Sequence, residues 1–189
     1  MRLFLTLITL TLFLAASAMA QLPGKPFTVS VAGGISAPTG YLNDIWKAGY
    51  HGSGRLGHSF APKLEITGGI DYHSFPRDPL GIAGLEGGTY KVVMLAVDLR
   101  LNLGVYPMPW KPFVFGGGGI ARATTSDMTY PDVFGSGTIT VEGDSNTKPF
   151  IEIGGGINFS LFFIQGKFVN IFYDDGNVKY VPISAGIRI

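Results

Sequence analysis

The stretch that decides the fold is YKVVMLAVDLRLNLG, at residues 90–104. Every second residue over 93–103 is valine or leucine, and the positions between them carry Met94, Ala96, Asp98, Arg100 and Asn102. An alternation with a period of two is typical of a β-strand with two unlike faces. A soluble core would not readily bury Asp98 and Arg100 beside such a stripe. A strand with one face on lipid and the other on a polar interior accounts for both faces.

Seven further stretches alternate in a similar way, and no linker or shift in composition divides them. We predict eight strands, at residues 27–35, 50–60, 63–75, 90–104, 112–123, 147–159, 162–173 and 178–189. The phase of the fifth is ambiguous, because four consecutive glycines erase its pattern. Longer polar connections at 36–49, 76–87 and 124–146 alternate with short ones, as in a barrel with long loops at one end. In the first of these loops we expect one helical turn, capped by Asn43 or Asp44.

The composition points to strands in a membrane. The chain is 46% hydrophobic and only 14% charged, with 28 glycines. After residue 20 no segment reaches the roughly 18 apolar residues of a membrane helix. We therefore predict an all-β fold, an eight-stranded antiparallel up-and-down transmembrane β-barrel. A soluble, lipocalin-like barrel is the alternative, since alternation serves both, but the sparse charge favours the membrane.

The first twenty residues, MRLFLTLITLTLFLAASAMA, have the layout of an export signal. Arg2 precedes an apolar core, and Ala18 and Ala20 provide the small residues that signal peptidase requires. We predict a cleaved signal peptide at 1–20 and an outer-membrane barrel domain at 21–189. Without Arg2 the basic and acidic residues balance, which argues against nucleic-acid binding. The absence of cysteine excludes disulfides and thiolate metal sites.

Taking the polar phase as the interior places eight charged residues there: Arg55, Glu65, Asp71, Asp98, Arg100, Glu152, Lys167 and Arg188. Arg122 is a possible fifth base. The interior of an eight-stranded barrel is just wide enough for side chains, so these charges should pair. The balance predicts a plugged barrel. A narrow pore, with some of these charges solvated at the rims, is the alternative.

Three segments resemble the outer-membrane β-barrel family of the OmpA/OmpX type, and the resemblance spans the chain after the signal. They are FTVSVAGGISAPTG at 27–40, KPFVFGGGGIAR at 111–122 and KFVNIFYDDGNVKYVPISAGIRI at 167–189. The resemblance implies an integral protein of a Gram-negative outer membrane, in contact with outer-membrane lipid. It also implies recognition of the last strand by the barrel-assembly machinery, although the chain ends in Ile189 where an aromatic residue is usual. With an even strand number, both termini should be periplasmic.

The sequence favours a structural or surface-recognition role without catalysis. The longest loop carries acidic and aromatic residues that could contact an extracellular partner or a divalent ion: Asp127, Tyr130, Asp132, Phe134, Glu142 and Asp144. An ordinary solvated loop is the plainer interpretation. The competing hypothesis is a lipid-modifying enzyme, because His51 and Ser53 resemble the His-x-Ser element of the lipid A deacylase family, with Glu65 or Asp71 to orient the histidine. We expect no catalytic residue, metal or cofactor.

Overall fold

The computed structural model describes residues 27–77, 86–104, 109–131, 138–174 and 176–189. Eight strands form a closed barrel in which sequence neighbours pair antiparallel and the last strand pairs with the first. These strands are β1 (Phe27–Thr39), β2 (Gly49–Ala61), β3 (Leu64–Pro76), β4 (Thr89–Asn102), β5 (Trp110–Thr125), β6 (Ser145–Phe159), β7 (Phe162–Ile171) and β8 (Val178–Arg188). The predicted eight-stranded antiparallel up-and-down barrel is confirmed.

The two ends of the barrel differ. The terminus end holds the start of β1, the end of β8 and the connections β2–β3, β4–β5 and β6–β7. The loop end holds the other four connections. Within these lie three short strands outside the barrel, Glu86–Gly87, Met128–Pro131 and Thr138–Val141, which form a sheet of their own. Two of these strands lie in the long connection predicted at 124–146, and the third belongs to a different connection, a pairing that no local pattern reveals.

The helical turn after β1 exists, but its predicted cap was wrong. A 3-10 helix spans Gly40–Asp44, so Asn43 and Asp44 lie at its end, and the N-cap position is Thr39. Gly40 has a φ of 61°, which lets the chain leave β1 sharply at low cost. The turn seats Trp46, 6% exposed, over the mouth of the barrel.

Inward and outward side chains alternate along every strand. In β4 the six inward residues from Tyr90 to Arg100 are buried, while Val97 and Leu99 are about half exposed on the outer face. In β5 the buried Phe113 and Phe115 settle the phase that the glycines hid. Arg122 is therefore outward and exposed, and its interpretation as a fifth interior base was wrong.

The interior itself has two halves. Towards the terminus end, charged and polar side chains lie beside a small apolar cluster of Ala32, Phe113, Phe115 and Phe163. Towards the loop end the interior is filled mainly by apolar side chains: Phe75, Tyr90, Val92, Met94, Phe150, Val169, Ile171 and Tyr180.

Some expectations concern residues beyond these ranges. The signal peptide at 1–20, the loop residues Asp132 and Phe134, and much of 76–87 lie outside the described residues. Among the residues that are described, no helix has the length and apolar character to cross a bilayer.

Candidate functional site

A cluster of five charged side chains crosses the middle of the barrel. Arg55 on β2 donates from Nη2 to Asp71 Oδ2 at 2.6 Å and to Glu152 Oε1 at 2.8 Å, and from Nη1 to Asp98. Lys167 Nζ on β7 donates to Asp71 Oδ2 and to Glu152 Oε2, both at 2.7 Å. This central cluster ties together strands β2, β3, β4, β6 and β7.

The central cluster is deeply buried and carries one excess negative charge. The three carboxylate side chains are at most 1% exposed, and those of Lys167 and Arg55 are 3% and 11% exposed. A chamber of about 20 Å³ borders Arg55 and Asp98 on the terminus side. That volume suits a single water molecule, and the Arg55–Glu152 pair joins β2 and β6, on opposite sides of the barrel.

A second polar layer lies nearer the terminus end. Arg188 pairs with Glu65, whose other oxygen accepts a hydrogen bond of 2.5 Å from Thr28 Oγ1. Arg100 is held differently: Nη2 donates to Asn158 Oδ1 at 2.9 Å, and the guanidinium lies 3.5 Å from the centroid of the Phe113 ring. The sequence predicted the charges of this layer but missed its amide and aromatic partners, whose residue types carry no charge pattern.

The structure thus places all eight charged residues of the predicted interior network on the inner face. Six direct ion pairs join seven of them. Arg100 is the eighth and relies on the amide and ring contacts described above.

On the loop side of the central cluster, two histidines share one serine. Ser36 Oγ lies 3.0 Å from His51 Nδ1 and 2.9 Å from His73 Nδ1. A hydroxyl has one proton, so at most one imidazole accepts from Ser36 and at least one donates to it. His73 Nε2 is buried without a partner among the described residues, which favours a His73 that carries its proton on Nδ1.

The suggested pairing of His51 with Ser53 is not the arrangement that the structure gives. His51 bonds to Ser36, and Ser53 borders the small chamber on the other side of the central cluster. Ser36 and His73 are both fully buried. A fully buried serine whose hydroxyl lies between two imidazoles is satisfied as a packed polar group. Sequence analysis missed Ser36 because it lies in β1, far from either histidine in the chain.

The apolar half of the interior leads to a shallow mouth. Tyr180, fully buried, stacks edge-on against His73 and Phe75, and its hydroxyl donates to Met94 Sδ at 2.9 Å. Above it, a cavity of about 220 Å³ opens at the loop end, walled by Trp46, Tyr90, Tyr173 and other residues. Because this cavity ends on the packed aromatic rings, it is a pocket in the mouth and does not continue through the barrel.

Two acidic residues of the longest loop accept hydrogen bonds from other residues of the same loop. Asp127 Oδ1 accepts from the Gly143 amide at 2.8 Å, and Asp144 accepts from the Ser145 amide and from Asn146 Nδ2, each at 2.7 Å. Glu142 is exposed, and Tyr130 lies in the strand Met128–Pro131. Across the described ranges, no three histidine, aspartate or glutamate side chains meet in a way that could hold a metal ion.

One exposed ion pair fastens the last connection at the loop end. Lys148 Nζ donates to Asp174 Oδ2. This hydrogen bond, together with the positive charge, lowers the pKa of Asp174 below its ordinary value. The pair links the start of β6 to the segment that follows β7.

Comparisons with known proteins identify the fold but not a sequence family. No protein-family model matches the chain, and no curated protein matches it. Among solved structures, the Neisserial surface protein A superposes with a TM-score of 0.61 at 14% identity, over 87% of this chain and 96% of that one. The chain has the fold of the small outer-membrane barrels. This confirms, at the level of the fold, the resemblance inferred from the three sequence segments.

Two other barrels show the same likeness. A major outer membrane protein of Thermus thermophilus matches with a TM-score of 0.53 at 13% identity, over 86% of this chain and 99% of that one. The Yersinia pestis outer membrane protein Ail, determined in a phospholipid bilayer nanodisc, matches with a TM-score of 0.51 at 16% identity, over 86% of this chain and 99% of that one.

Proposed function

We propose that this chain is an integral outer-membrane protein in which a sealed barrel anchors the chain and presents loop-end structure for recognition, without catalysis. The observation that carries the proposal is the contrast between its surfaces. The outside of the barrel is apolar, and the inside is closed by paired charge and packed rings. Such a molecule is suited to sit in lipid, and the interior formed by its described strands suits an anchor better than a pore or a reaction chamber.

The outer face supports the membrane location. Val31, Leu56 and Ile153, on three different strands, are each more than 60% exposed. All four carboxylates of the eight described strands lie on the inner face. Strands of 10 to 16 residues are long enough for a tilted transmembrane strand, which needs roughly 9–11. A soluble barrel would reverse these faces, so the lipocalin-like alternative has no support here.

The loop end supports recognition. The short strands Met128–Pro131 and Thr138–Val141 form a hairpin, and Glu86–Gly87 from another connection adds a third strand. Two separate connections are thereby joined into one platform above the barrel, and Asp127 and Asp144 brace its base. Recognition elements are commonly carried on loops that a rigid scaffold positions.

Topology follows from the same proposal. The eight strands bring the start of β1 and the end of β8 to one end, which we assign to the periplasm, and the platform to the cell exterior. Export would use the signal at 1–20. The barrel-assembly machinery would read β8, the strand that closes the barrel against β1.

The proposal is tested by comparing the full-length chain with a variant in which residues 128–141 are replaced by a short glycine-serine turn, both expressed in a Gram-negative host. We expect both to fractionate with the outer membrane and to migrate differently on gels before and after boiling, because the barrel strands are untouched. We expect only the full-length chain to make the cells adhere to immobilised host-cell matrix.

Each readout can contradict one half of the proposal. A soluble periplasmic product without a boiling-dependent shift would overturn the membrane location. Equal adhesion by the two proteins, with both correctly inserted, would overturn recognition by the platform.

A further inference from the structure

The outer face of β3–β6 changes character sharply near the loop end. Strand register places Ile70, Leu95, Ile120 and Pro149 side by side across the four strands, and the outward rows nearer the terminus end are likewise apolar or glycine. Two rows nearer the loop end carry polar side chains. They consist of Tyr72, Val93, Arg122 and Thr147 in the first, and Ser74, Lys91, Thr124 and Ser145 in the second.

The two basic residues of these rows are neighbours. Lys91 faces Thr124 across β4 and β5, and Val93 faces Arg122, so Lys91 and Arg122 are diagonal partners. Diagonal partners lie roughly 7–8 Å apart, within reach of long side chains. Both are exposed, and Arg122 Nε bonds to the uncharged Ser145 Oγ at 3.2 Å.

Nothing acidic opposes them on this surface. On the outer face of the eight described barrel strands there is no carboxylate, since Glu65, Asp71, Asp98 and Glu152 all point inward. No carboxylate of the described strands therefore neutralises Lys91 and Arg122, and the adjoining loop acid Asp144 is engaged with Ser145 and Asn146. The two cations stand at the edge of the apolar belt, where lipid headgroups would begin.

A groove adjoins the basic pair. It is open, has a volume of about 580 Å³, and is lined on β1–β4 by residues that include Ile35, Tyr50, Ser74, Pro76 and Lys91. Ile35 and Tyr50 are about 60% exposed beside it, whereas Ser74 is 3% exposed. The groove therefore offers apolar contact along most of its length and a cation at one edge, which suits a molecule with the same division.

We propose that Lys91 and Arg122 bind the anionic phosphate of a lipid headgroup in the leaflet at the loop end, with the apolar part of that lipid against the groove and the rows of Leu95 and Ile120. Phosphate is the headgroup chemistry that two adjacent cations with hydroxyl neighbours recognise. The terminus end has no counterpart among the described outward positions of the strands. The inference rests on the membrane location proposed above and adds a lipid class and a preferred leaflet.

The test is native mass spectrometry of the barrel in detergent micelles supplemented with phosphatidic acid or with phosphatidylcholine of the same chain length. We expect the wild type to retain phosphatidic acid preferentially. The double variant Lys91→Gln/Arg122→Gln should weaken that retention by about thirtyfold, since each cation near a membrane surface strengthens anion binding roughly fivefold. The charge-conserving variant Lys91→Arg/Arg122→Lys should keep most of it.

Lys179→Gln is the matched control, because Lys179 is also an outward, exposed base near the loop end but lies on β8. It should change retention less than twofold. Added inorganic phosphate at the lipid concentration should not compete, because it lacks the apolar part. All variants are first shown to be folded by the boiling-dependent gel shift.

Three results would overturn the inference in a correctly folded barrel. Equal retention of both lipids would remove the preference for phosphate. An equal loss of phosphatidic acid retention in Lys179→Gln would show that any surface cation serves, and that Lys91 and Arg122 form no specific site. Displacement by inorganic phosphate would make the pair a site for free anions. Failure of the gel shift in the wild type would instead contradict the proposed membrane location.

Discussion

At the scale of single residues, the three carboxylates of the central cluster do not share its two cations equally. Asp71 and Glu152 each accept hydrogen bonds from both Arg55 and Lys167, whereas Asp98 accepts from Arg55 alone. Three carboxylates meet two cations, so Asp98 is the carboxylate that the cluster balances least well. The cost of a substitution should therefore depend on the direction in which it moves the charge.

We expect Lys167→Met to destabilise the barrel by about 3–5 kcal/mol, because it leaves three buried carboxylates facing a single cation, Arg55. Asp98→Asn should change stability by only about 1 kcal/mol, since the amide oxygen still accepts from Arg55 and the cluster becomes neutral. Reversible urea unfolding from lipid vesicles measures both. If Asp98→Asn were the more damaging of the two, the cluster would not be governed by its net charge.

At the scale of elements, β5 shows why four glycines occur in a row. A Cβ on the inward-facing Gly119 would come within 1.9 Å of the Leu95 carbonyl oxygen on β4, and one on Gly117 within 2.1 Å of that of Val97. The backbones of β4 and β5 approach so closely here that neither position has room for a side chain. The outward-facing Gly116 has its nearest neighbour at 3.6 Å, an ordinary contact.

We expect Gly119→Ala to lose the boiling-dependent gel shift or to lower the urea midpoint markedly, because a backbone contact cannot give way as a flexible side chain can. Gly116→Ala is the matched control on the same strand. It should fold normally and gain up to about 1 kcal/mol, since alanine loses less entropy than glycine in a strand. Equal behaviour of the two variants would show that close approach does not explain the glycines.

Strands β4 and β5 show which parts of the fold the sequence could predict and which it could not. Alternation in β4 predicted both faces of that strand, since lipid and a charged interior select opposite residue types. In β5 the glycines carry no polarity, and Arg122 was assigned to the interior although it faces outward. The partners of the eight charges were equally hidden. Thr28, Asn158 and Phe113 touch them through register between strands, which depends on pairing rather than on local pattern.

At the scale of the whole molecule, the interior is closed in successive layers with different chemistry. From the terminus end these are the Glu65–Arg188 layer, the central cluster, and then the rings of Phe75 and Tyr180. The charged layers and the aromatic layer exclude water by different means. Paired charges have their hydrogen-bonding atoms occupied by one another, and packed rings offer water no hydrogen-bond partner. A substitution that opens the aromatic layer should therefore leave the charged layers closed.

This layering predicts the behaviour of the barrel in a conductance experiment. We expect the wild type to give no stable steps in planar bilayers, because the ion pairs of the central cluster join five strands across the interior and the chamber beside them has a volume of about 20 Å³. Phe75→Ala should also stay closed. It opens a cavity among apolar residues of the loop half, at a cost of about 3–5 kcal/mol in stability, but the salt-bridged cluster lies between that cavity and the terminus end.

Insertion is verified by the gel shift of protein recovered from the bilayer lipid. Reproducible steps in the wild type would show that the charged layers part and form a narrow pore, whereas steps in Phe75→Ala alone would place the whole seal in the aromatic layer and leave the charges a purely structural role.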